Sequence, residues 1–373
     1  MWISLSPLVA TLDFSDASDS VAAIETILSS ARRGEHIVFA DRKTLSHLLS
    51  LGLSLPNQAV VKSIQSRYSE LASIEAQQIF RVKIDPTIQQ PHYEGANVWL
   101  VPLQHFANVA LVPSCVLAED LRDATAYVTS AQHALLLHGH KGIKVNLTKD
   151  SGGGAAIPNK LKDLALSKRQ FVLAITDTDK THPRGACCAP TSKCAAIAAQ
   201  TSWVVEHQML DASEIENILP VNLISDSVED STAAHALAER LDFLKMNVFK
   251  NRELGKWFDL KNGTKLAKIK TTNDNEPEKA HWVNASVPIR NVFGCGIRCQ
   301  QNAECPEGAD KECACLLLPG LGDETLERFN SYCAKLTLHK QCERVRTSVN
   351  SADWLSLGSK IASWGAALEK QRS

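Results

Sequence analysis

Residues 171–180, FVLAITDTDK, decide how this chain is read. A short apolar run, 171–176, closes abruptly on two carboxylates, Asp177 and Asp179. Upstream, residues 108–119, NVALVPSCVLAE, repeat the pattern and close on Glu119. Between them, residues 121–137 place apolar side chains at a spacing near 3.6, which predicts a helix carrying Asp123. Residues 142–147, GIKVNL, read as a second strand leading into KDSGGG at 149–154, and 155–167 read as a second helix. Short apolar runs alternating with helices predict a parallel sheet buried on both faces. In such sheets ligands bind beyond the carboxyl ends of the strands. Glu119, the turn Gly152, Gly153 and Gly154, and the pair Asp177 and Asp179 are therefore expected at one edge.

The residue types at that edge suit one chemistry. Two carboxylates on an extended end can aim at a common point, and hard oxygen ligands suit Mg2+ or Mn2+. A glycine-rich turn lets the backbone approach a phosphate closely. Two divalent ions about 4 Å apart can clamp the attacking and leaving oxygens in phosphodiester cleavage. Taken singly, each piece has a plain structural reading: a solvated turn, a strand-end acid, a loop.

Glutamate after strand one, glycines after strand two and Asp-x-Asp after strand three, in that order, resemble the Toprim family. Downstream, SEIENILP at 213–220 resembles the Ile-Glu-Asn motif that follows the Toprim core of the overcoming-lysogenization-defect (OLD-like) nucleases. Glu119 with Asp123 four residues later resembles their paired acids after strand one. The resemblance covers about 110 residues well. A weaker echo runs through WFDLKNG at 257–263 and a C-terminal helix bearing Trp354 and Trp364.

The resemblance implies a metal-dependent Toprim endonuclease. Asp177 and Asp179 would hold one Mg2+ or Mn2+, with Glu216 in support. Glu119 and Asp123 would hold a second, or Glu119 would serve as general acid and base. Lys261 would touch the phosphate or the transition state, and Gly152–Gly154 would sit against the scissile phosphate or order the metal site. Such units resemble effectors of bacterial anti-phage defence, often beside an AAA- or ABC-type ATPase. OLD-like enzymes commonly carry that ATPase in the same chain, but no Gly-x-x-x-x-Gly-Lys-Ser/Thr occurs here, so nucleotide control would need a partner. A topoisomerase needs a tyrosine nucleophile, and Tyr68, Tyr93, Tyr127 and Tyr332 lie in no such context. The competing reading is a non-catalytic nucleic-acid-binding or assembly subunit of an ATPase complex.

Composition bounds the rest. The 373 residues suffice for two or three cores, with 44% hydrophobic and 22% charged residues. The division expected is an N-terminal α/β domain at 1–107, a Toprim domain with a Rossmann-like parallel sheet at 108–230, and a helical, Cys-rich region at 231–373. Net charge is −1, so nucleic acid would be met by local patches. One patch is 245–270, with eight Lys or Arg against two acids and with Phe249, Trp257 and Phe258 interleaved. The start lacks a basic leader, and no apolar run approaches 18 residues, so a cytoplasmic protein is expected. An oligomer is expected as well. Eleven cysteines, an odd number, argue against a disulfide framework. Cys295, Cys299, Cys305, Cys313 and Cys315 are candidates for a structural zinc site, as are His182, Cys187, Cys188 and Cys194.

Further expectations fall outside the central unit. Strands are predicted at 3–5, 8–12, 35–40, 79–84, 98–103 and 201–206, and helices at 18–31, 44–51, 58–78, 232–250 and 356–368. Residues 86–97 read as a loop and 226–230 as a hinge. Ser213 and Glu216 read as a capping box. Asp13, Asp41 and Asp85, each closing a predicted strand, could form a second metal site.

Overall fold

The computed structural model describes residues 1–12, 18–140, 142–265, 277–286 and 316–370. The cysteine cluster at 295–315, Asp13 and the end of the basic stretch at 266–270 lie outside the described residues. The chain is mixed α/β and groups into two compact units. The first comprises residues 1–175, 193–208 and 355–373; the second comprises 176–192 and 209–354. Unit one draws on all three sequence segments, 1–107, 108–230 and 231–373, and unit two on the last two.

Among the described residues unit one holds two larger sheets and a two-stranded ladder. The first joins β1 (Trp2–Leu5), β2 (Ile37–Phe39), β3 (Arg81–Asp85), β4 (His92–Gly95) and β5 (Val98–Pro102) in the order β2-β1-β3-β5-β4. All pairings are parallel except β4 with β5. Trp2, Ile3, Ile37, Val82, Ile84 and Val101 are buried, as strands covered on both faces require. Three expectations fail here. Residues 8–12 lie mostly in a 3-10 helix, Pro7–Thr11, opened by Pro7 and capped by Ser6. The helix expected at 58–78 is two, Leu55–Ser66 and Tyr68–Glu75, parted at Arg67. The loop at 86–97 contains β4, a mostly exposed edge strand. Asp41 caps the helix Arg42–Ser50 by accepting from the Lys43 and Thr44 amides, and Asp85 accepts from the Thr87 amide and hydroxyl. Both acids thus serve local turns.

The second sheet is the one that the central stretch predicts. It contains β6 (Cys115–Ala118), β8 (Thr148–Ser151), β9 (Val172–Thr176) and β10 (Val205–Met209), in the order β10-β9-β6-β8, all parallel. β6 lies between β9 and β8, with Val116 opposite Leu173 and Lys149. Every residue of β6 and β9 is buried. The helix Leu121–Leu137 has the predicted bounds.

The second strand is displaced from its predicted place. Within 142–147 only β7 (Lys144–Val145) is extended, and it pairs antiparallel with β13 (Ala366–Ala367) near the chain's end. The apolar side chains of Val145 and Leu147 pack against Gly365, where an added Cβ would lie 2.8 Å from Leu147. The sheet instead takes the polar Thr148–Ser151. The fourth strand likewise falls at 205–209 rather than 201–206.

Unit two is mainly helical, with Val221–Glu229 packed on Thr325–Lys335, Leu338–Thr347 and Ala234–Asn247. Leu223, Ile224, Val228, Leu241, Leu244, Phe329 and Val345 form its interior. The expected hinge at 226–230 lies largely in the first of these helices, where Asp226 pairs with Arg344. A two-stranded ladder, β11 (Gly263–Lys265) with β12 (Leu316–Pro319), completes the unit. Among the described residues no helix is long and apolar enough to cross a membrane.

Candidate functional site

Asp177 follows β9 directly, and Asp179 adopts a left-handed backbone at φ 53°. Few side chains accept that conformation, and aspartate is among the better ones. The turn is tied down by its neighbours. The amides of Thr178 and Asp179 both donate to the Ser213 carbonyl, at 2.9 and 3.1 Å, and the Thr178 hydroxyl donates to the Ala212 carbonyl at 2.6 Å. The Thr191 hydroxyl donates to the Asp177 carbonyl at 2.6 Å, and the Cys188 amide to Thr178 at 3.1 Å. The Asp-x-Asp turn is therefore bonded, backbone to backbone, to the loop that runs into Glu214 and Glu216.

That second loop is built around Asn217. Its Oδ1 accepts from the Glu214 amide, and its amide nitrogen donates to the carbonyls of Gly255 and Phe258 at 2.9 and 2.8 Å. Residues Ile215–Ile218 form a 3-10 turn, and the reciprocal bond joins Glu214 to Asn217. The capping box expected of Ser213 and Glu216 is thus replaced by the next pair along. Ser213 donates its amide to the Lys256 carbonyl instead.

Lys261 completes the cluster. Its Nζ lies 3.3 Å from Glu214 Oε2 and 3.3 Å from Glu216 Oε1. The turn bearing it is fixed from two sides. The Asn262 amide donates to Asp259 Oδ1, and the Gly322 amide donates to the Lys261 carbonyl. Gly320 lies so close that a Cβ there would meet the Lys261 carbonyl at 2.2 Å. Glu216 is 2% exposed, and its Oε2 is buried without a hydrogen-bond partner among the described residues. A buried carboxylate oxygen left so is costly, and a cation or proton there would offset the cost.

Burial pushes the Glu214 carboxyl up to about 7; Lys261 opposes this, while Glu216 and Asp259 add to it. Burial lowers Lys261, but Glu216 and Glu214 together more than reverse that, and its ammonium ends above the ordinary range. Because the folded pKa of Glu214 is raised, its contribution to stability is complete below about 4.5 and is lost as pH rises through about 7. Glu214→Gln is expected to remove that slope, on the order of 3 kcal/mol between pH 5 and pH 8. Denaturant unfolding at the two pH values in chelator checks it; parallel pH dependence in variant and parent excludes Glu214 as the source.

In unit one, Glu119 follows β6, the parallel neighbour of β9. The glycine turn wraps its backbone: the amides of Gly153 and Gly154 both donate to the Glu119 carbonyl at 3.1 Å, as does the Ser151 hydroxyl at 3.0 Å. The Gly152 amide donates to Ala118. A phosphate cradle at Gly152–Gly154 is therefore corrected, because the amides that it needs already hold β6. Gly152 is required for packing, since a Cβ would meet Ile157 at 2.3 Å. Asp123 accepts the Asp120 amide at 2.9 Å, reciprocating the Asp120 cap of helix Leu121–Leu137.

In the basic stretch, two of the three aromatics are not available for stacking, while Phe249 is half-buried. Trp257 and Phe258 are buried, and Lys256 is buried in ion pairs with Asp211 and Asp353. Of the candidate zinc ligands, Cys194 is buried within helix Ala189–Gln200, Cys187 Sγ sits 3.2 Å from the Ser192 hydroxyl and Cys188 Sγ 3.2 Å from Thr191. Among the described residues no three His, Cys, Asp or Glu side chains are gathered as a metal-ligand set.

The structure thus brings Glu216 and Lys261 into one ion-paired cluster and bonds the Asp177 and Asp179 turn to the loop leading into it. Glu214 is the member that sequence reasoning missed. Its only signal was a second glutamate two residues before Glu216; the 3-10 turn Ile215–Ile218 that follows Glu214 is what turns the two toward Lys261, and the spacing alone does not show that. No known protein family, curated protein or solved structure matches the chain.

Proposed function

We propose that this chain is a divalent-metal-dependent nuclease of Toprim type. In this reading Asp177, Asp179 and Glu216 hold one Mg2+ or Mn2+, with Glu214 beside them. Glu119 and Asp123 serve a second ion, or Glu119 transfers the proton of the attacking water. The observation that carries the reading is the backbone bonding of the Asp-x-Asp turn to the Glu214–Glu216 loop, with a buried carboxylate oxygen left over at Glu216. Oxygen donors of this hardness fit Mg2+ or Mn2+. A bound divalent ion would supply charge stabilisation for a cleaved phosphodiester and acidify a water. Lys261 holds Glu214 and Glu216 in place and sets a positive charge 3.3 Å from each.

By the same resemblance, the activity belongs to an OLD-like anti-phage effector working with a separate AAA- or ABC-type ATPase, in an oligomer and in the cytoplasm. The test is incubation of purified protein with plasmid, single-stranded DNA and total RNA, with and without Mn2+. Cleavage that appears only with the metal is the expected result; intact substrates in every lane would remove the reading. One observation favours the alternative, a non-catalytic binding or assembly subunit: Lys261 already pairs with both glutamates and so offsets part of their charge without a metal. A metal that binds displaces or shares that ammonium, and a chain that binds no metal leaves it undisturbed.

A further inference from the structure

We propose that a cleft beside the Asp-x-Asp turn is a pocket for an unpaired nucleobase, which makes single-stranded nucleic acid the substrate class. This rests on the nuclease reading of the neighbouring carboxylates. One wall is the tetrad HPRG at 182–185, a reverse turn closed by the Gly185 amide donating to the His182 carbonyl at 3.0 Å. Pro183 occupies the position where its fixed φ favours such a turn. The turn begins three residues after Asp179 and presents His182 and Arg184. The other wall is the helix Pro277–Ser286, which contributes Ala280, His281 and Asn284. Residues 277, 280, 281 and 284 fall on one helical stripe. The cleft's volume is about 300 Å³, ample for one purine.

The lining selects a flat ring over a free anion. Two imidazoles, a guanidinium and proline rings are surfaces on which a base stacks. His281 lines the cleft, and its Nε2 is buried without a hydrogen-bond partner among the described residues. Asn284 is exposed and offers the donor and acceptor that match the adenine edge. Burial and the neighbouring His182 lower the His281 pKa, leaving it neutral at pH 7. Glu253 and Glu278 also act on His281, in the direction that raises it, so two negative charges lie near this wall of the cleft. Those charges disfavour a bare phosphate and leave stacking unaffected.

The test uses the intact chain in chelator and a single-stranded oligonucleotide carrying 2-aminopurine. Binding with quenched probe fluorescence is expected, on DNA or RNA, with a blunt duplex bound more weakly. His281→Ala and Asn284→Ala are each expected to weaken single-strand binding about tenfold; Asn284 is exposed, so its variant leaves the fold intact. Unchanged affinity in both variants, or equal binding of the duplex, overturns the pocket. Because no metal is present, failure here is separable from failure of the nuclease reading: a chain that binds the base yet cuts nothing with Mn2+ retains the pocket and loses the catalysis.

Discussion

Asp177→Asn is expected to lower Mn2+-dependent cleavage at least about 100-fold while the protein stays folded. The substitution keeps shape and removes one negative charge. The Asp177 carbonyl, which accepts from Thr191, is unaffected, so the turn retains its anchor. A metal held by hard oxygens loses affinity and positioning when a carboxylate becomes an amide. A loss of 100-fold is about 2.7 kcal/mol of transition-state stabilisation, the size expected when one charged group at a reacting phosphate is misplaced. Glu119→Ala tests the other acid set in the same assay. Full activity in both variants removes these residues from the chemistry; reduced activity with a lowered melting temperature would report unfolding instead.

Lys261→Met is expected to destabilise the metal-free protein by about 3 kcal/mol at pH 8 and by much less at pH 5. The lysine is the shared counter-ion of Glu214 and Glu216, the latter almost wholly buried. Its removal leaves two carboxylates facing each other without compensation. They respond by taking up a proton, which is cheap at pH 5 and costly at pH 8, so the penalty grows with pH. Urea unfolding at both pH values measures it. The double variant with Glu214→Gln is expected to recover much of the loss, because the repulsion needs both acids. A penalty of equal size at the two pH values would mean that Lys261 acts through packing rather than charge.

Much of the central sheet was legible because its strands are apolar runs that need no distant partner to be recognised. β9 and β6 lie inside the stretches 171–176 and 108–119, and the helix Leu121–Leu137 has the spacing that its buried face demands. β8 was not legible, since Thr148–Ser151 is polar, while the apolar Val145 and Leu147 are claimed by Gly365 and the chain's last strand, more than 200 residues away. β4 was missed for a related reason: an exposed edge strand has no buried face to impose alternation. At the site, residue types pointed to the acids, but not to their bonding. Nothing local says that Ser213 accepts two amides from 178–179, or that Asn217 clasps 255 and 258. The glycines at 152–154 misled, because the pattern that can cradle a phosphate also wraps a carbonyl, here that of Glu119.

The central claim is that these acids bind a divalent cation. Titration of Mn2+ into the purified chain, followed by calorimetry, tests it most directly. Saturable binding by the parent, abolished in Asp177→Asn and in Glu216→Gln, is the predicted result. A parent that takes up no Mn2+, or variants that bind as the parent does, would contradict it.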